Sequence, residues 1–171
     1  MSENMHELAL FQVDAFTDTV FRGNPAAVVP LTEWLPDETM QAIAAENNLS
    51  ETAFFVNQGE TFALRWFTPT TEVDLCGHAT LATAFVLFHG LKNARDALRF
   101  DTRSGELSVT RDGDRLVMDF PATPPKPIDP PHGLVAALGI EPVEVLASDN
   151  HNYYAVYSAE GDVAGINPDM R

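Results

Sequence analysis

Basic residues are scarce in this chain. Its 171 residues carry 10 lysines and arginines against 25 acids, a formal net charge of −15. No Lys/Arg cluster interrupts that excess, which argues against a partner made of nucleic acid or anionic membrane. Cysteine is scarcer still. The single Cys76 excludes an internal disulfide framework and fits a reducing, cytoplasmic setting. The longest nearly apolar run, within Ala79–Phe88, falls far short of the ~20 residues that span a bilayer. The N-terminal residues lack the basic start and apolar core of a signal peptide. Neither a Cys-x-x-Cys nor a His-x-x-x-His pair occurs, so no metal site is expected. Glycine-rich nucleotide loops and the zinc-deaminase arrangement are also missing, and no cofactor is expected.

What the chain does have is 45% hydrophobic residues, enough to bury a core. Its length corresponds to one domain of ~150 residues, or one and part of a second. The segment Glu72-Val-Asp-Leu-Cys-Gly-His-Ala-Thr80 places the only cysteine beside a glycine and a histidine. An extended segment there gives way to the apolar run that stops at His89-Gly90, which reads as a buried helix. A buried helix start offers unpaired N–H groups and a partial positive charge, a place for a carboxylate or oxyanion. Gly77 would let a ligand approach the backbone. Alternatively, Gly77 is a turn residue and His78 a satisfied cap. Cys76 is a thiolate base favoured by the helix start, or a small packed hydrophobe. Asp74, Cys76 and His78 alternate, so on a strand they would share a face. Glu51 lies between Leu49 and the apolar Ala53–Val56. It is either a desolvated base of raised pKa or a solvated turn glutamate.

Strands are expected over residues 8–16, 26–30, 52–56, 62–67, 97–102, 106–110 and 115–120. Asp112-Gly113 predicts a type I′ hairpin turn between the last two. Pro36-Asp37-Glu38 opens a helix that Asn47-Asn48 closes. Residues 121–131 hold six of the twelve prolines, a stiff stretch that reads as a linker. It divides a first domain, residues 1–120, from residues 132–171, which read as the opening of a second. That second part offers a helix over 134–138 and strands over 143–147 and 153–157. Many strands and few helices predict an α+β fold.

Five segments resemble, in order, the PhzF-like proteins, phenazine-biosynthesis-like isomerases related in fold to diaminopimelate epimerase. They are Phe11-Gln-Val-Asp-Ala-Phe-Thr17, Phe21-Arg-Gly-Asn-Pro-Ala-Ala-Val-Val29, Asn47-Asn-Leu-Ser-Glu-Thr-Ala-Phe-Phe55, Arg65-Trp-Phe-Thr-Pro69 and Asp74-Leu-Cys-Gly-His-Ala-Thr80. The resemblance implies two similar halves, each a mostly antiparallel sheet wrapped around a central apolar helix. Here the first half is whole and the second incomplete. It implies cofactor-independent isomerisation or epimerisation of a small carboxylate-bearing metabolite, by a homodimer. The family's acid/base falls on Glu51, and its substrate-lining pair on Gly77 and His78. Asn24 and Asp74, within matching motifs, join them as substrate-binding candidates. Related epimerases use a cysteine at the position of Cys76, which makes it a possible second base. The alternative function is a non-catalytic half-protein that binds a partner or self-associates.

Overall fold

In a computed structural model the described residues are 7–149 and 152–168. The N-terminal segment read for targeting lies largely outside them. Contacts divide the chain into two units, Met1–Phe120 and Pro121–Arg171.

The first unit is built on an eight-stranded sheet with strand order β1-β2-β3-β4-β6-β7-β8 and β5 beside β4. The strands are β1 (Phe11–Ala15), β2 (Asn24–Leu31), β3 (Glu51–Asn57), β4 (Phe62–Phe67), β5 (Glu72–Val73), β6 (Ala97–Thr102), β7 (Gly105–Asp112) and β8 (Arg115–Asp119). Pairing is parallel for β2–β3 and β4–β6 and antiparallel for the rest. Helix α1 (Asp37–Asn47) makes the crossover from β2 to β3. Pro36 precedes it, Asp37 and Glu38 sit in its first turn, and Asn48 ends it in the left-handed conformation at φ 51°. Helix α2 (Gly77–Phe85) continues as a π-helical turn, Val86–Gly90.

Two cores follow from the side-chain alternation of the strands. On one face Ala26, Val28, Ala53, Phe55, Leu64, Trp66, Leu98, Phe100, Leu107 and Val109 pack with α2. On the other, Val29, Leu31, Phe54 and Phe67 pack with Met40 and Ala44 of α1. Strands β2 and β3 are therefore buried on both faces, which explains their unbroken apolar runs. Ala79, Ala82 and Ala84 are fully buried, and their small side chains let α2 lie close against the sheet. Thr80 and Thr83 belong in this apolar setting because each hydroxyl donates one turn back, to the carbonyls of Cys76 (2.6 Å) and Ala79 (2.8 Å). The helix is not covered all round as its composition predicted, since Phe85 is exposed.

The final hairpin turns one residue later than expected. Asp112 pairs with Arg115, so Gly113 and Asp114 form the loop. Only Gly113 has positive φ, at 59°. That is the pattern of a II′ turn, with glycine at the first central position, and corrects the I′ expectation.

The second unit contains β9 (Lys126–Pro127), α3 (Leu134–Leu138), β10 (Glu144–Ala147), β11 (Tyr153–Val156) and α4 (Glu160–Ala164). Its sheet has the order β11-β10-β9. The proline run is thus more than a linker: Lys126 and Pro127 pair with Ala147 and Leu146. Proline is accepted there because β9 is an edge strand and has a partner on one side only. Among the described residues of this unit, Val145 is the single buried hydrophobic side chain.

Candidate active site

Three residues distant in sequence meet at the start of α2. Glu51 is the first residue of β3, placed there by the left-handed Asn48, which ends α1 and redirects the chain. Its side chain shares the face of β3 that carries Ala53 and Phe55, the face turned toward α2. Cys76 is the extended residue before α2, at φ −144°, and His78 is in the first turn. His78 Nε2 lies 3.2 Å from Glu51 Oε2. Cys76 Sγ lies 3.4 Å from His78 Nδ1.

The Glu51–His78 approach is close enough for an ion pair, yet neither atom is satisfied by an aligned hydrogen bond. Distance alone governs the charge attraction, whereas a hydrogen bond also needs direction. Both statements therefore hold, and both atoms keep bonding capacity for a ligand. Their side chains are 18% and 9% exposed, so the pair borders solvent from a largely desolvated position.

The surroundings of Cys76 favour the thiol over the thiolate. Burial pushes its pKa from 9.0 up to about 12. The N–H of Ala79 pulls the other way, the charge of Glu51 and the hydrogen bond to its carboxylate add to the rise, and the N–H of His78 again opposes it. The helix start thus does act on the sulfur as expected, but desolvation and the neighbouring carboxylate outweigh it. Of the two readings of Cys76, the packed thiol is the one this environment favours.

Gly77 has open space on its side-chain position. A Cβ there would meet only Phe120 Cε2, at 3.6 Å, an ordinary contact. Asn24 begins β2, which pairs with β3 so that Ala26 lies opposite Glu51. Its Oδ1 accepts a hydrogen bond from Ser50 Oγ (3.3 Å), tying the two strand starts together beside Glu51.

Asp74 is positioned differently. Its carboxylate is largely exposed and faces Arg103 Nη1 at 3.8 Å. Arg103 also holds Glu72 at 2.6 Å, and Glu72 pairs with Arg65. The expectation that Asp74, Cys76 and His78 share a strand face does not hold. The strand ends at Val73 and His78 is already helical. Glu51 takes the third place in the cluster instead. One donor atom each from Glu51, Cys76 and His78 lies within 4.8 Å of the others.

Two further features carry little signal in the sequence. Trp66 buries its indole N–H without a partner, on the same sheet face as Glu51 and opposite Ala53. Thr80 clamps the carbonyl of Cys76 and so fixes the helix start. A threonine four residues after a capping position is the signal that could have revealed the clamp.

Residues 13–161 match the family described as phenazine biosynthesis-like protein (PhzC-PhzF). The chain belongs to this family. An uncharacterized isomerase of Pseudomonas aeruginosa is 61% identical over 164 residues, spanning 96% of this chain and 62% of that protein. A PhzF-family phenazine biosynthesis protein of Enterococcus faecalis superposes with a TM-score of 0.84 at 49% identity, covering 95% of this chain and 62% of its own. A predicted epimerase of Pseudomonas aeruginosa shares the fold, with a TM-score of 0.73 at 20% identity. The α+β reading, with its sheet curled on a central helix, agrees with these structures. The chain spans a little under two thirds of the length of the relatives it matches. No helix among the described residues is long and apolar enough to cross a membrane.

Proposed function

We propose that the chain carries the proton-transfer half of a cofactor-independent isomerase or epimerase acting on a small carboxylate-bearing metabolite. Glu51 takes the proton from carbon: the C–H bond breaks and an O–H bond forms on the carboxylate. The carboxyl group then returns that proton to a different carbon in an isomerisation. The N–H groups at the start of α2 and the open flank of Gly77 receive the substrate carboxylate or the enolate-like charge that develops. His78 stands beside Glu51, its Nε2 3.2 Å from the carboxylate. The observation that carries this reading is the pair of unsatisfied atoms, Glu51 Oε2 and His78 Nε2, 3.2 Å apart at a buried helix start. Its family relatives named as isomerases support the same class.

Deuterium uptake from D2O into a panel of small unsaturated, amino and hydroxy carboxylates tests it. Glu51→Gln is expected to remove exchange while leaving binding near wild type, because the amide keeps the shape and loses the base. Exchange at most of the wild-type rate in that variant contradicts the assignment.

A second reading rests on a different surface. Val13, Phe16, Leu81, Phe85 and Leu116, together with the charged Asp14, Asp114 and Arg115, line a cleft of about 530 Å³ that contains none of Glu51, Cys76 and His78. Phe16 and Phe85 of this lining are exposed. Exposed aromatic side chains of this kind favour self-association of the chain. Sedimentation across a range of concentrations decides this, and a monomer throughout would remove the reading.

A further inference from the structure

We propose that Glu51, Cys76 and His78 form a binding site for a thiophilic divalent cation of the Zn2+ class, and that occupancy of this site shuts off proton transfer. The three residues supply the oxygen, sulfur and imidazole nitrogen that such ions accept together. One donor atom from each lies within 4.8 Å of the others. Tetrahedral Zn2+ sets its N, O and S donors roughly 3.3–3.6 Å apart. The sulfur and His78 Nδ1 already stand at 3.4 Å. The other ring nitrogen, His78 Nε2, stands 3.2 Å from Glu51 Oε2, so an ion held by one nitrogen requires the donor on the opposite ring edge to rotate toward it.

One further observation points to a ligand. Glu51 Oε2 and His78 Nε2 are both buried and lack hydrogen-bond partners. Asp74, the nearest acid in sequence, is engaged with Arg103 outside the cluster, so it neither completes nor competes for the site. Binding breaks the Cys76 S–H bond, forms a sulfur–metal bond and releases the proton to buffer. Thiolate, carboxylate and neutral imidazole then balance the double positive charge of the ion, which suits a largely desolvated position. A fourth, solvent-side position stays open for water.

The inhibitory consequence rests on the reading of Glu51 as the base, because a carboxylate held by the metal has lost the lone pair that abstracts the proton. The binding claim stands apart from it. Co2+ added to the 171-residue chain is expected to give a sulfur-to-metal charge-transfer band in the near ultraviolet. Zn2+ is expected to displace Co2+ at one equivalent and abolish the band. Cys76→Ser keeps the side-chain size and should lose the band, with at least about 100-fold weaker Zn2+ affinity measured against a chromophoric chelator. Asp74→Ala should retain both. Absence of the band in the wild-type chain, or equal Zn2+ affinity in the wild type and Cys76→Ser, overturns the site. A band that persists while Glu51→Gln keeps full exchange leaves the metal site standing and removes the acid/base reading together with the inhibition that rests on it.

Discussion

At the scale of single residues, the protonation state of Cys76 separates the two ways this site can work. A helix start lowers a thiol pKa, and taken alone it would make Cys76 a thiolate base. Burial and the carboxylate of Glu51 act in the opposite direction and are stronger, so the thiol keeps its proton up to about pH 12. The sign of the effect on stability follows. The unfolded chain releases this proton near pH 9.0 and the folded one holds it to about pH 12. Stability from this group is therefore complete below pH 9.0 and declines across that window, by about 4 kcal/mol at most. Denaturant titrations from pH 8 to 11 should show a falling midpoint for the wild type and a flatter profile for Cys76→Ala. Parallel profiles would mean that the thiol is not desolvated. In the sequence, Glu51, Cys76, Gly77 and His78 were recognisable as residue types with chemistry. Their mutual distances were not, because Glu51 reaches α2 only through the parallel pairing of β2 and β3 across a helical crossover.

At the scale of elements, α2 does most to define the site. Its small residues bring it against the sheet, Thr80 holds its first turn, and the Gly77 flank is left open. Gly77→Ala should fold normally, with a melting temperature within about 3 °C of wild type, because the added methyl meets only Phe120 and the helix prefers alanine. Ligand affinity should fall about tenfold or more, since the methyl occupies the approach to the backbone. Unchanged affinity for a carboxylate ligand would show that the anion does not sit there. The strands of the first unit were legible because each alternates or runs apolar between clear turns, as in Phe62–Phe67, which matches β4 residue for residue. The hairpin register was not: Asp112-Gly113 and Gly113-Asp114 are both good turn dipeptides, and pairing with β6 and β8 selects the second. The two-residue β5 and β9 carry too few residues to show a period, and only their partners define them.

At the scale of the whole chain, the two units differ sharply in how much they bury. The first holds both cores, and the second has Val145 as its buried hydrophobic residue among those described. Tyr153, Tyr154, Val143 and Val156 are exposed. A chain ending at Phe120 should therefore unfold cooperatively with nearly the stability of the whole. Both tryptophans, Trp34 and Trp66, belong to the first unit, so their fluorescence reports on it alone. A shortened chain whose fluorescence transition is lost or broadened would show that residues 121–171 are needed to hold the sheet together. The formal charge of −15 is also a property of this scale and sets the sign of the field around the chain.

The central claim is that a proton moves through Glu51 while Cys76 remains a packed thiol. Its most direct test is deuterium exchange at the substrate carbon, compared between Glu51→Gln and Cys76→Ala in one assay. Loss of at least about 100-fold in the glutamine variant, with less than about tenfold in the alanine variant, is the predicted result. The opposite order, with Cys76→Ala silent and Glu51→Gln active, would contradict the account and make the thiolate the base.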